Sequence, residues 1–212
     1  MPRLHLIKKQ GWPAPTRIGE DDFIASPKMA DWLHQTFIRE SAPLFNPDHT
    51  HLSEASIGVL WTTAENTKQG KLVQGTAEIP HPPQGISKWG KAKWEHQMRG
   101  WFGEVLPDFL LTFYWPFVQR ADTPSVLALF EHELYHCAQA VDESGEPRYR
   151  KSDGRPVWTM VGHDVEEHIG VVRRYGHAAA NVTELVEAAM RKPEIGRAKI
   201  IVACGYCKMK AA

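Results

Sequence analysis

Cysteine is scarce in this chain. Three cysteines among 212 residues do not suggest a disulfide framework, so a reducing compartment is expected. Net charge is also lacking. Lysine plus arginine number 25 and aspartate plus glutamate number 25, which gives no electrostatic reason to expect a nucleic-acid or membrane partner. No apolar run approaches the roughly 20 residues of a membrane span. The stretch from Met1 to Lys9 has no apolar stretch of signal-peptide length, so a cytoplasmic location is expected. No repeat, low-complexity tract or linker divides the sequence. What is present is a globular composition, 42% hydrophobic and 24% charged, with eight tryptophans to fill a core or line a groove. The length suits one domain, expected over residues 1–212 with its core at about 26–192.

The stretch that organises the rest is residues 124–139, which contain His132-Glu133-Leu134-Tyr135-His136, an H-E-x-x-H pattern. A helix is expected there. Thr123 or Asp122 can cap it, Pro124 fits the first helical position, and Leu127, Phe130, Leu134 and Ala138 recur at helical spacing. On a helix, His132 and His136 lie one turn apart on the same face, where two imidazoles can bind one zinc ion. Glu133 lies beside them as the candidate general base, able to take a proton from a zinc-activated water.

The flanking chain reads as a mixture of helices and strands. Residues 26–37 predict a helix with Met29, Trp32, Leu33 and Phe37 on its apolar face. Residues 56–63 and 71–79 predict an antiparallel hairpin with a long turn. Residues 108–119 predict a strand, with Pro116 placing it at a sheet edge or near the strand's end. Asp153-Gly154 between 148–150 and 156–160 predicts a second hairpin. Helices are expected over 163–175 and from Thr183 onward, and a last strand over 199–203. The expected fold class is therefore α+β: a mostly antiparallel sheet packed on the H-E-x-x-H helix, followed by further C-terminal helices.

A catalytic zinc usually has three protein ligands and one open position. Residues 163–168 are the richest source of the third, with His163, Glu166 and Glu167 as candidates. Asp164 could cap a helix in which Glu167 completes a capping box, which gives both a structural duty and leaves His163 just outside the helix.

Three segments resemble a known family: Glu131 to His136, Gly162 to Glu167, and Val171 to Gly176. They are similar to the metallopeptidases encoded by phages and prophages, and the similarity extends through Ala55 to Trp61 and Gly70 to Ala77. His163 also resembles the third histidine of the SprT-like zincins. The resemblance implies a zincin-like peptidase with Zn²⁺ on His132, His136 and His163, Glu133 as base, a peptide or protein substrate, and a host-cytoplasmic location if phage-encoded. The competing reading is a non-catalytic, zinc-stabilised interaction protein of phage or prophage origin. It predicts a fourth protein ligand, with Glu166 or Glu167 as candidates.

Other signals are weaker. Cys204 and Cys207 form a C-x-x-C with no second pair to complete a structural zinc site. Cys137 is expected in the core, and His49, His51 and His81 in solvated loops. Tyr149, Arg174, Tyr175 and His177 could each donate to an oxyanion, and their spacing selects none.

Overall fold

The computed structural model describes residues 11–68, 70–165, 169–178 and 182–198. In chain order the strands and helices are β1 (Phe23–Ala25), α1 (Pro27–Leu33), β2 (Ile57–Thr62), β3 (Thr67–Lys68), β4 (Lys71–Leu72), β5 (Gly75–Glu78), α2 (Lys88–Phe102), β6 (Phe109–Tyr114), α3 (Trp115–Arg120), α4 (Thr123–Tyr135), β7 (Cys137–Gln139), β8 (Trp158–Met160), α5 (Ile169–Tyr175) and α6 (Thr183–Met190). A π-helical turn, His34–Ile38, extends α1, and a 3-10 helix, Pro47–Glu54, precedes β2. The fold is α+β. None of the described helices is long and apolar enough to cross a membrane.

The four-stranded sheet runs β1-β2-β6-β5. It is mixed: β1 and β5 pair antiparallel with their neighbours, while the central β2–β6 pairing is parallel, with Val59 opposite Leu111 and Trp61 opposite Phe113. Both central strands carry near-continuous apolar runs because both sheet faces are covered. Val59, Trp61, Leu111 and Phe113 face the main core with Met29, Leu33, Leu127 and Phe130. Leu60 and Leu110 face the other way, onto Met98, Trp94 and Phe102 of α2. Several of the tryptophans pack in or against the core, while Trp89 is 84% exposed. Trp12, Trp32 and Trp61 stand around Phe130, with ring centroids 5.8, 5.9 and 6.1 Å away.

One sequence expectation is corrected by this topology, and of the two alternatives for the 108–119 strand the one with Pro116 near its end holds. The 56–63 and 71–79 segments do not pair with each other, because β6 lies between β2 and β5. A six-residue apolar strand gains more by burial on two sides than a hairpin between its neighbours would. For the same reason β6 is interior and β5 is the outer strand. Pro116 lies just past the end of β6, in the first turn of α3, where its missing N–H costs nothing.

The helix carrying the H-E-x-x-H pattern begins as its sequence predicts. The Asp122 side chain accepts a hydrogen bond from the Ser125 amide at 2.9 Å, and Pro124 sits in the first turn. It ends earlier than expected, at Tyr135, and Cys137–Gln139 leave as β7 to pair with β8. His136 keeps helical dihedrals (φ −74°, ψ −17°), so the one-turn relation to His132 survives. The second hairpin turn forms at residues 150–155, with Tyr149 bridged to Pro156 and Gly154 at φ 69°. His163, Asp164 and Val165 are not helical.

Candidate metal centre

Three histidines converge beside α4. The ring centroids of His132, His136 and His163 are 5.0, 5.1 and 5.0 Å apart, and one ligand atom from each lies within 4.8 Å of the others. The Nε2 atoms of His132 and His163 are 3.3 Å apart. Tetrahedral zinc with Zn–N bonds of about 2.0–2.1 Å requires nitrogens separated by about 3.3–3.4 Å, so this pair fits the ion.

The third ring is oriented by its neighbour. His136 Nδ1 donates to the Val161 carbonyl at 2.8 Å, which sets the tautomer with the lone pair on Nε2. Burial, with His136 and His163 alongside, pulls the His132 pKa down to about 4, so its ring is neutral at neutral pH, as ligation requires. Burial also lowers His136, against the opposing effect of its Val161 hydrogen bond.

Glu133 lies on the sheet side of α4 and is fully buried. Among the described residues, neither carboxylate oxygen has a hydrogen-bond partner. Burial alone pushes its pKa up to about 8. A divalent cation held by the adjacent histidines would pull it back down. Gly75 of β5 makes room for this carboxylate: a Cβ there would stand 2.8 Å from Glu133 Oε1.

The opposite flank of α4 holds a polar network that the sequence did not suggest. The Asn46 amide donates to Glu131 Oε1 and to the Tyr135 hydroxyl, each at 2.8 Å, and that hydroxyl donates to Asp48 at 3.1 Å. Burial pushes the Tyr135 phenol up to about 12. His49, expected in a solvated loop, is fully buried against the Tyr135 ring, with centroids 4.5 Å apart. His51 donates to the Cys137 carbonyl at 2.9 Å. The 3-10 helix thus braces the end of α4 through three side chains, a tertiary fact with no local signature. His81 is exposed in its loop, as expected.

The histidines line a cavity of about 420 Å³ together with Asp48, Tyr135, Val161, Asp164, Val165 and Leu185. A larger cavity, about 730 Å³, lies past Tyr135 between α4 and residues 193–196, and has no histidine in its wall. The three histidines line the smaller one. Tyr149, Arg174, Tyr175 and His177 are absent from its wall. Cys137 is buried in the core, as predicted. Glu166 and Glu167, the alternative ligands, and Cys204 and Cys207 lie outside the described residues, as do the Asp164–Glu167 capping box and the 199–203 strand.

An α+β chain whose three histidines gather beside a buried carboxylate has the donor set of a metal-binding protein. A family profile described as "Putative phage metallopeptidase" matches residues 30–190, and the chain belongs to that family. No curated protein and no solved structure matches it.

Proposed function

We propose that the chain is a zinc-dependent peptidase of zincin-like fold, one domain over residues 1–212, hydrolysing peptide bonds in peptides or proteins. The observation that carries this reading is the 3.3 Å separation of His132 and His163 Nε2 beside the buried Glu133 carboxylate, which has no hydrogen-bond partner among the described residues. His132, His136 and His163 would hold the ion, leaving a fourth position open. Zinc bound there would supply Lewis acidity and lower the pKa of water toward neutrality.

The chain's own residues supply the remainder. Glu133 accepts the proton of the attacking water and returns it to the leaving amine. With a cation held by the adjacent histidines, its carboxylate would be ionised and so able to accept that proton. The Val161 carbonyl holds the His136 ring in place. An extended substrate would add to the outer strand β5, which lies against Glu133, and not to the interior β6. The proposed location is the cytoplasm, that of the host if the chain is phage-encoded.

The test is hydrolysis of a mixed peptide library. Activity should disappear with a chelator and return with stoichiometric zinc. A zinc-loaded protein that cleaves no peptide would leave the non-catalytic, zinc-stabilised reading in its place.

A further inference from the structure

The histidine cavity does not end at the metal centre. Val165 and Leu185 belong both to its wall and to that of a second cleft, of about 400 Å³, between α5 and α6. Ile169, Val172, Val182 and Val186 complete an almost wholly apolar lining, with Arg173 at the margin. Ile169 is 77% and Leu185 55% exposed, so the cleft opens to solvent with large apolar side chains on its rim. Exposed aliphatic groups around a concave, apolar space gain free energy when another apolar group fills it.

We propose that this cleft receives a large apolar side chain of the substrate, aromatic or branched aliphatic, close to the bond that is cut. The proposal rests on the peptidase reading, and its occupant is assigned from continuity. A chain whose carbonyl lies at the histidines has Val165 and Leu185 as its next contacts on this side, and the space past them is apolar. A charged or small polar side chain would either lose hydration there or leave the cleft unfilled. The expected substrates therefore carry phenylalanine, leucine or a similar residue next to the scissile bond.

The test separates the cleft from the chemistry. Two small hydroxamates, one with a methyl and one with a benzyl substituent beside the metal-binding group, are titrated into the zinc-loaded full chain by calorimetry. The benzyl compound should bind about tenfold or more tightly. Val186→Trp fills the cleft, and Ile169→Asp places a charge on its exposed rim, where folding tolerates it. Both should bring the two affinities close to parity while leaving the methyl compound unchanged. Equal affinities in the wild type, or an undiminished preference in both variants, would overturn the proposal. A second readout needs no metal. N-acetyl-phenylalaninamide should shift the methyl resonances of Ile169, Val172, Val182, Leu185 and Val186 in zinc-free protein, and N-acetyl-alaninamide should not. Failure of both hydroxamates to bind with those shifts present would sink the metal reading and keep the apolar site. Absence of the shifts would overturn the cleft itself.

Discussion

His136 and Val161 hold each other twice. The His136 ring donates to the Val161 carbonyl at 2.8 Å, and the Val161 amide donates to the His136 carbonyl at 3.0 Å. This double contact continues the β7–β8 ladder, in which Cys137 faces Met160. It explains how histidines 27 positions apart in sequence come together. β7 starts at the residue after His136, β8 ends one residue before Val161, and His163 follows two positions later. Once the ladder is in register, the chain at Val161 is held beside His136, and His163 lies two residues further on. The early end of α4 at Tyr135 is therefore part of how the site is built, since a longer helix would leave His136 without this partner.

Zinc binding is the first expected outcome. Purified protein supplied with zinc should hold about one ion per chain, and its Tm should rise with the metal. His132→Ala and His136→Ala should each lose it. Elemental analysis that finds no zinc in the wild type after loading would remove the basis of the proposed function.

The third ligand can be separated from its neighbours. His163→Ala should weaken zinc binding by orders of magnitude with the fold mostly kept, because His163 is exposed and its ring bears on the other two histidines. Glu166→Gln and Glu167→Gln should leave the metal in place. Zinc titration of the three variants decides between a three-histidine site and one with two histidines and a glutamate.

Glu133→Gln keeps the side-chain size and removes the proposed base. Zinc should remain, while turnover on a peptide library falls by on the order of 10²–10⁴-fold. Because the native carboxyl is buried without a hydrogen-bond partner among the described residues, the variant should be no less stable than wild type. Equal cleavage by the two proteins would exclude Glu133 as the base.

How far the sequence reveals this site depends on the range of the interactions involved. The α4 start was legible because Asp122, Pro124 and the Leu127–Phe130–Leu134 stripe act within a few residues of one another. The pairing of His132 with His136 was legible for the same reason. His163 was found through residue type and resemblance, not through periodicity, and the expected helix start beside it is absent at residues 163–165. Strand order was not legible. Whether β6 is interior or at an edge depends on which segments cover its faces, and α2 and α4 supply that cover from opposite sides in sequence. His49 was misread because its burial depends on Tyr135, which lies 86 positions away.

His49 makes a prediction about pH. Burial lowers its pKa from the ordinary 6.5 to about 4, so the unfolded chain binds the proton first as pH falls. Glu131 lies 3.8 Å away, too far for a hydrogen bond, and burial dominates. The stability that neutral His49 contributes is complete above about pH 6.5 and is lost progressively toward pH 4, up to about 3 kcal/mol. His49→Phe keeps a ring against Tyr135 and removes the titration. Its Tm should fall less steeply than that of wild type between pH 6.5 and 4. Parallel curves would show that His49 is not the group responsible.

Gly75 ties the outer strand to Glu133, the proposed base. A methyl group there would stand 2.8 Å from Glu133 Oε1, 3.1 Å from its Cγ and 3.1 Å from Leu129 Cδ1. The atom under most pressure is the end of a side chain with several rotatable bonds, so Glu133 should move before the strand does. Gly75→Ala should therefore cost modestly in stability, about 1–3 kcal/mol at most. Its effect on turnover should be larger in proportion, because a shift of about 1 Å in a catalytic group can cost 10²-fold. Zinc should stay, since the histidines lie on other faces of the site. The measurements are Tm, zinc content and kcat/KM for wild type and variant side by side. A variant with unchanged kcat/KM would mean that the position of Glu133 does not depend on the room left by Gly75, and a variant that loses zinc would mean that the strand supports the histidines as well.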